Sequence, residues 1–254
     1  MANATFNAGI DYFGLGTSSN GALKVTGSDE NRSKQSASGA NLYGDAAVVD
    51  SWGETAAPSA EYAVVAALTQ ATFPDLGTVR TVEGIEKPVV LGGVKISTRS
   101  GGAPTVSASG QMVQTGATQL RKYELPSFSL SPRHRAQDFL GLCTIKKGSA
   151  AADPVEDYGL EGVDADFPIE FTLAQPKGEV VNYDLHGGMA TCSYTMNWYA
   201  STAPTVALTD AATTLGATIS SPVAKSCPEG GYTQYKWTVS FPMKGEEGAS
   251  TAGT

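Results

Sequence analysis

The sequence predicts a mainly β fold, a β-sandwich or barrel-like subunit with one or two short helices and long polar loops. Large apolar residues recur at every second position in residues 194–198 and 235–241, which is the period of a strand with one buried face. Glycine- and proline-containing turns such as residues 100–102 and 176–178 separate segments of this kind. Very few stretches repeat their apolar residues with a helical period. Together these patterns favour strands joined by turns.

The predicted strands begin after a long polar region. The first 46 residues are rich in Gly, Ser and Asn, and residues 26–46 have almost no apolar side chain, so we expect a polar loop there. The predicted strands cover residues 47–50, 62–68, 94–98, 105–114, 119–125, 168–173, 180–184, 193–199 and 234–241.

Two short helices are predicted. The first covers residues 132–141, because Ser131 can cap a helix whose first residue is Pro132, and Gly141 can end it. The apolar residues of this segment would share one helix face. A second, weaker helical pattern covers residues 210–215.

These patterns divide the chain into three parts. Residues 1–46 form a Gly/Ser/Asn-rich arm and polar loop, and residues 47–160 form a β-rich core that includes the first helix. Residues 161–254 add further strands, either to the same domain or as a packed second lobe. A chain of 254 residues is long enough for either arrangement.

The charge of the chain disfavours nucleic-acid binding. The formal net charge is −8, and the densest basic stretch is the tripeptide Arg133-His134-Arg135. Tight binding to phosphates needs clustered Lys and Arg that displace counterions. We therefore expect no specific nucleic-acid binding.

The three cysteines, Cys143, Cys192 and Cys227, are too widely spaced for a zinc ribbon and too few for a complete disulfide framework. We expect them to be free thiols buried as small apolar groups. The N-terminus MANATFNAGIDYFG has neither the basic nor the apolar region of a signal peptide. The apolar runs are too short to span a bilayer. These features favour a soluble protein made in the cytoplasm.

The sequence lacks the common catalytic, metal-binding and phosphate-binding motifs. The two histidines, His134 and His186, lie in a basic tripeptide and in a Gly-Gly turn, where exposed positions are expected. The sequence contains no nucleophile elbow, zinc-binding helix or phosphate-binding loop. Acidic residues cluster over residues 156–166 without the spacing of a calcium loop. We therefore predict that the chain is not an enzyme and has no cofactor and no metal site.

The polar loop offers the best candidate contact site. Asp29, Glu30, Arg32 and Lys34 bring mixed charges together within six residues. Such charges can make salt-sensitive, directional contacts to another subunit. We expect this loop to be mobile in the monomer and to become ordered against a neighbouring copy.

Several segments resemble virion structural proteins of tailed bacteriophages. They are the start MANATFNAG, the stretch GSDENRSKQSASGANLYGD, the segment ISTRSGGAPTVSASGQMVQ and the run ELPSFSLSPRHRAQDFLG. A small, Thr/Ser/Gly-rich β chain with long polar loops is most similar to a tail tube subunit. The resemblance implies copies that join into rings, a hexamer being one expected ring, and rings that stack into a tube conducting DNA. It also implies assembly in the host cytoplasm and a final place in the virion beside other virion proteins.

Other functions remain open at this point. The strands after residue 160 go beyond a typical tube subunit, so a capsid decoration protein or a head–tail connector is the first alternative. A carbohydrate-binding or receptor-binding β-sandwich module is the second, and a hydrolase is the third. Aromatic residues clustered on one exposed sheet face would favour a sugar-binding module.

Overall fold

The computed structural model describes residues 9–18, 20–40, 46–114, 116, 121–146, 159–174, 182–198, 203–226 and 233–247. The strands are β1 (Leu23–Ala40), β2 (Ala46–Val64), β3 (Leu68–Thr69), β4 (Val79–Arg80), β5 (Val89–Arg99), β6 (Thr105–Met112), β7 (Arg121–Tyr123), β8 (Ser129–Leu130), β9 (Cys143–Lys146), β10 (Leu160–Ala174), β11 (Asn182–Gly187), β12 (Met189–Trp198), β13 (Thr205–Leu208), β14 (Thr218–Ile219), β15 (Val223–Ser226), β16 (Thr233–Pro242) and β17 (Gly245–Glu247). The helices are α1 (Leu15–Ser18) and α2 (Asp210–Thr214), and Gln70–Thr72 forms a 3-10 turn.

One large antiparallel sheet organises the described part of the chain. It has eleven strands, eight of which follow the order β1-β2-β6-β5-β10-β12-β16-β14. Strands β4, β11 and β15 pair with β5, β10 and β16, respectively. The mainly β prediction is confirmed. The expected boundary between the second and third parts of the chain falls at the start of β10, and β10 pairs with β5 on one side and β12 on the other.

The strand period places the core on one face of this sheet. In β12 every second residue from Ala190 to Trp198 is buried, and in β16 the buried residues are Trp237, Val239 and Phe241. The residues between them, which are mostly Ser, Thr and Asn, lie on the other face. An antiparallel sheet with one covered face shows this alternation.

Connecting segments cover the apolar face. Phe73, Phe128 and Phe139 come from three such segments and are all buried in the one core cluster. Their rings meet edge to face, with centroids 6.3 Å apart for the first pair and 6.4 Å apart for the second. Edge-to-face pairs add specificity to the apolar burial. These segments, together with the small pairs β3–β8, β7–β17 and β9–β13, therefore contribute the rest of the core.

The helix predicted over residues 132–141 is wrong. This segment forms an irregular loop, because tertiary hydrogen bonds replace the helical ones. The Gln137 amide donates to Thr98 Oγ1 at 3.2 Å, and the Ser131 hydroxyl, expected as an N-cap, donates to the Gln137 side chain at 3.3 Å. The second predicted helix is confirmed as α2, whose Thr209 hydroxyl accepts from the Ala212 amide at 3.2 Å.

The polar loop predicted over residues 26–46 is also wrong. Residues 26–40 belong to β1, which pairs antiparallel with β2 along its whole length, while residues 41–45 lie outside the described part of the chain. Backbone pairing needs no apolar side chain, so a polar segment can form a strand when its neighbour supplies the partners.

The expected turn at residues 186–188 is a bend within one continuous line of strands. Strand β11 pairs with residues 169–174 of β10, and β12 pairs with residues 160–166 of the same strand. Gly188 lies between them, where an added Cβ would lie 2.9 Å from the Pro168 carbonyl oxygen. Glycine fits here because the backbone of residue 188 passes close to that of Pro168, and the chain does not reverse direction at this point.

Gly110 offers a test of the packing beneath the sheet. A Cβ at this position would press on the Val90 carbonyl oxygen and lie 2.7 Å from Phe13 Cε1. We predict that Gly110→Ala lowers the free energy of unfolding by about 1–3 kcal/mol, because the neighbours must shift. Gly102→Ala is the matched control, since its nearest outside neighbour would be Arg99 Cβ at 4.0 Å. Equal effects of the two substitutions in chemical denaturation would contradict this packing.

Candidate functional site: the arm of strands β1 and β2

The candidate site is the part of the β1–β2 hairpin that extends beyond the large sheet. Strand β2 pairs with β6 only over residues 59–63. Residues 30–40 of β1 and 46–58 of β2, called the arm from here on, pair with each other alone in the described structure. At about 3.3 Å per residue the arm reaches about 35 Å from the sheet. It is the longest stretch of the described chain in which two strands pair only with each other.

The sequence marks the point where the arm leaves the sheet. Pro58 directly precedes Ser59, which forms the outermost β2–β6 pair with Ser109. Proline has no backbone N–H to donate to a further strand, so it fits at this position. The Gln111 side-chain amide then donates to the Ala56 carbonyl at 2.9 Å, which gives that carbonyl a partner where the neighbouring strand has ended.

The predicted contact residues lie at the base of the arm and bond within the chain. The Arg32 guanidinium pairs with the Glu30 carboxylate at 2.6 Å, and the Tyr12 hydroxyl donates to the same carboxylate at 3.1 Å. The Asp29 carboxylate accepts from the Glu30 amide at 2.9 Å. Lys34 lies in β1, and its side chain is outside the described set. Glu30 and Arg32 therefore already have partners within the chain.

Asp11 fastens the chain before β1 to the start of this hairpin. Its carboxylate accepts from the Tyr62 hydroxyl at 2.6 Å and from the Leu15 and Gly16 amides at 3.1 and 2.9 Å. Burial, with the hydrogen bond to Asp11 as the second cause, raises the pKa of Tyr62 above its ordinary value. Tyr62 is fully buried beside the arm, so this contact fixes the hairpin base.

The acidic cluster of the sequence is divided by the fold. Asp164 and Asp166 lie on β10 opposite β5, where they pair with Arg99 at 2.7 Å and Lys95 at 2.9 Å. Glu161 accepts from the Asn197 side chain, while residues 156 and 157 lie outside the described part. No group of three or more His, Cys, Asp or Glu in the described residues is placed to hold a metal ion.

The candidate nucleophiles are buried and protonated. Cys143 and Cys192 are buried free thiols, as expected, and Cys227 lies outside the described residues. Burial raises the pKa of Cys143 to about 12 and that of Cys192 further. A thiol reacts as its thiolate, so neither cysteine is activated. The histidines are both exposed: His134 lies in the 131–142 loop, and His186 lies 3.6 Å from Asp184 on β11.

A cluster of polar contacts beneath the sheet, called the clasp from here on, surrounds the Asp138 carboxylate. Its carboxylate accepts from the Tyr194 hydroxyl at 2.9 Å and from the Gly141 amide at 3.1 Å, and the Cys143 thiol lies 3.9 Å away. The Tyr194 ring stacks on Trp237 with centroids 5.2 Å apart. The clasp ties the 131–142 loop to the central strand β12. Sequence patterns gave no signal for it, because Asp138 and Tyr194 are 56 residues apart.

Comparisons with known proteins give no family for this chain. No protein-family model matches it, and no curated protein matches it. In the described residues, helices are too short and too polar to cross a membrane.

The Asp138 clasp predicts a pH dependence of stability. Burial raises the pKa of Asp138, and the hydrogen bonds to its carboxylate only partly oppose this effect. The folded chain therefore takes up this proton before the unfolded chain does as the pH falls. The stability from this proton is complete below the unfolded-chain pKa and is lost as the pH rises through the folded pKa. We predict that wild type gains stability relative to Asp138→Asn as the pH falls from neutral toward about 4, the ordinary pKa of an Asp side chain.

Thermal unfolding of both proteins across this pH range measures the effect. Tyr194→Phe removes a donor that favours the charged carboxylate, so the gain should begin at a higher pH in that variant. Parallel stability curves for wild type and Asp138→Asn would contradict the assignment.

Proposed function

We propose that this chain is a self-assembling structural subunit of a phage particle, whose copies form rings that stack into a tail tube conducting DNA. The resemblance of several segments to tailed-phage virion proteins motivates the proposal. The arm is the single structural observation that carries it. The proposal includes the absence of enzymatic activity and a location in the virion.

The arm is a structure that favours a partner. A two-stranded ribbon on its own is marginally stable in water, and ordering its residues costs conformational entropy. Beyond the Ser59–Ser109 pair the arm has only itself as a backbone partner in the described structure. A neighbouring copy that packs on the arm would offset this cost. Repeated subunits supply such a neighbour to every arm.

The two ends of the large sheet also favour assembly between copies. Strand β1 forms one edge, and β14 with β15 forms the other. Exposed edges of this kind are templates for pairing with another chain. An interface that joins two different edges is heterologous, and repeated copies close into a ring when the rotation allows it.

The charge pattern suits DNA as a passing cargo. The chain carries a net charge of −8, and basic residues on the polar sheet face such as Lys95 and Arg99 are paired with carboxylates. A net negative chain whose cations on this sheet face are paired gives phosphates no strong site on that face. The arrangement supports movement of DNA past the protein without adhesion.

The buried aromatic residues speak against the sugar-binding alternative. Trp198 and Trp237 are buried, the side chain of Trp52 lies outside the described set, and the large apolar side chains exposed in the described residues are Ile10, Val65, Met189 and Val223. A sugar platform needs exposed aromatic rings, and none of these four side chains has one. A capsid decoration or connector role would use the same arm in a different assembly.

Shortening the arm tests the proposal. Replacing residues 35–52 by an Asn-Gly turn removes the outer ribbon, which pairs with itself from Gln35–Trp52 outward. We predict that the melting temperature of the monomer stays within about 3 °C of wild type, because the core is untouched. We also predict that rings and tubes disappear from negative-stain images.

The double variant Glu30→Gln/Arg32→Gln is the matched control. These two residues pair with each other inside the chain, so the variant should still assemble at wild-type levels. Normal rings from the shortened chain would show that the arm is not the contact. Wild-type protein that stays monomeric at high concentration, or that forms closed particles without a channel, would contradict the tube itself.

A further inference from the structure

One end of the large sheet carries two exposed arginines. Strand β5 ends at Arg99, and the Gly101 amide just beyond it donates to the His134 carbonyl at 2.8 Å. This contact holds the 131–142 loop at that end of the strand. Arg133 and Arg135, which flank the bonded residue, are both exposed. The loop therefore presents two guanidinium groups where β5 ends.

Two exposed lysines of β15 and β16 lie at the same end. Arg99 of β5 pairs with Gly162 of β10. Gly162 pairs with Thr195 of β12, which pairs with Lys236 of β16, so Lys236 lies level with the end of β5. Lys225 on β15 lies beside the β16 residues that precede Lys236. The exposed cations without an ion pair in the described part of the chain are called the basic end: Arg133, Arg135, Lys225 and Lys236.

The opposite end of the sheet carries exposed carboxylates. The loop of residues 81–87 joins β4 to β5 just before β5 starts, and it contains Glu83 and Glu86. Glu170 lies on the part of β10 that extends past its pairs with β5, toward the start of that strand. These three side chains are exposed, have no ion pair to a described residue, and outnumber Lys87 in the same loop. They are called the acidic end.

The charges of opposite sign are separated along the direction of the strands. The 11 residues of β5 run between the two ends, a length of about 35 Å. Between them Lys95 pairs with Asp166 at 2.9 Å, and the exposed Asp29 and Glu61 also lie level with the middle of β5. A subunit with opposite charges at its ends attracts a second copy head to tail and repels it head to head. A head-to-tail contact is heterologous, so it repeats from copy to copy.

We infer that the basic end of one copy docks on the acidic end of the next copy, along the direction of the strands. The occupant is a second copy because this chain carries both complementary surfaces. The arm favours the same neighbour: β2 runs from its pairs with β6 toward the start of β5, so the arm extends past the acidic end. The inference rests on the proposed assembly, and it names the surfaces that meet where one ring stacks on another.

Charge reversal at each end tests the contact. Arg133→Glu/Arg135→Glu and Glu83→Lys/Glu86→Lys each place like charges on the two loops that would meet. We expect either variant alone to self-associate about tenfold more weakly than wild type in sedimentation velocity at low salt. An equimolar mixture of the two variants should recover wild-type association, because each loop of one variant then meets an opposite charge on the other. About 0.5 M salt should shrink the difference between the variants and wild type, because it screens these charges.

Lys95→Asp/Asp166→Lys is the matched control, because it exchanges the two charges of a pair at mid-strand. It should associate like wild type, and all the proteins should share one melting temperature. Undiminished association of both reversed variants, or a mixture that does not recover, would overturn the inference and leave wild-type rings and tubes unaffected. Recovery of the mixture as open chains without rings would support the inference and count against the tube. Wild-type protein that stays monomeric would overturn both.

Discussion

The fold depends on burying one face of a single large sheet. Each strand of its centre alternates, so residues such as Val94, Tyr194 and Val239 enter the core while their neighbours remain outside. A shift of one residue in the pairing would turn every one of these side chains to the solvent. The register of the sheet is therefore fixed by the core. The connecting segments must then cover the apolar face, and this requirement determines where the loops lie.

Covering a sheet with loops creates a difficulty that polar contacts solve. Loops carry backbone N–H and C=O groups that need partners when they are buried. In the 131–142 loop, Thr98 bonds to the Gln137 amide and carbonyl, and the Asp138 carboxylate accepts from the Gly141 amide. The Tyr194 hydroxyl then donates to Asp138, and its ring stacks on Trp237 in the core. Asp138 is costly to bury as a charge, which is why its pKa is raised. The same contacts that hold the loop also place Arg133 and Arg135 on a firm support.

The strands that could be predicted from the sequence were those in which apolar and polar side chains alternate, because one face of each strand is buried. Residues 193–199 and 234–241 alternate apolar and polar groups, and they correspond to β12 and β16. Strand β1 escaped prediction because much of it lies in the arm, where no core imposes an alternation. The helix predicted over residues 132–141 failed for a different reason. Its Ser-Pro start is a local signal, and tertiary hydrogen bonds to Thr98 outweighed it.

The candidate site shows the same division between local and distant information. The sequence drew attention to Asp29, Glu30 and Arg32 through their charges, but a charge pattern does not reveal its partners. Tyr12, which bonds to Glu30, is 18 residues away, and Tyr62 is 51 residues from Asp11. These contacts use the charges inside the subunit. What remains for a neighbour is the backbone edge of a long ribbon, and edge pairing is directional without depending on charge. An assembly held in this way would resist salt. Raising the ionic strength would therefore distinguish edge pairing from the charge contacts that the sequence favoured.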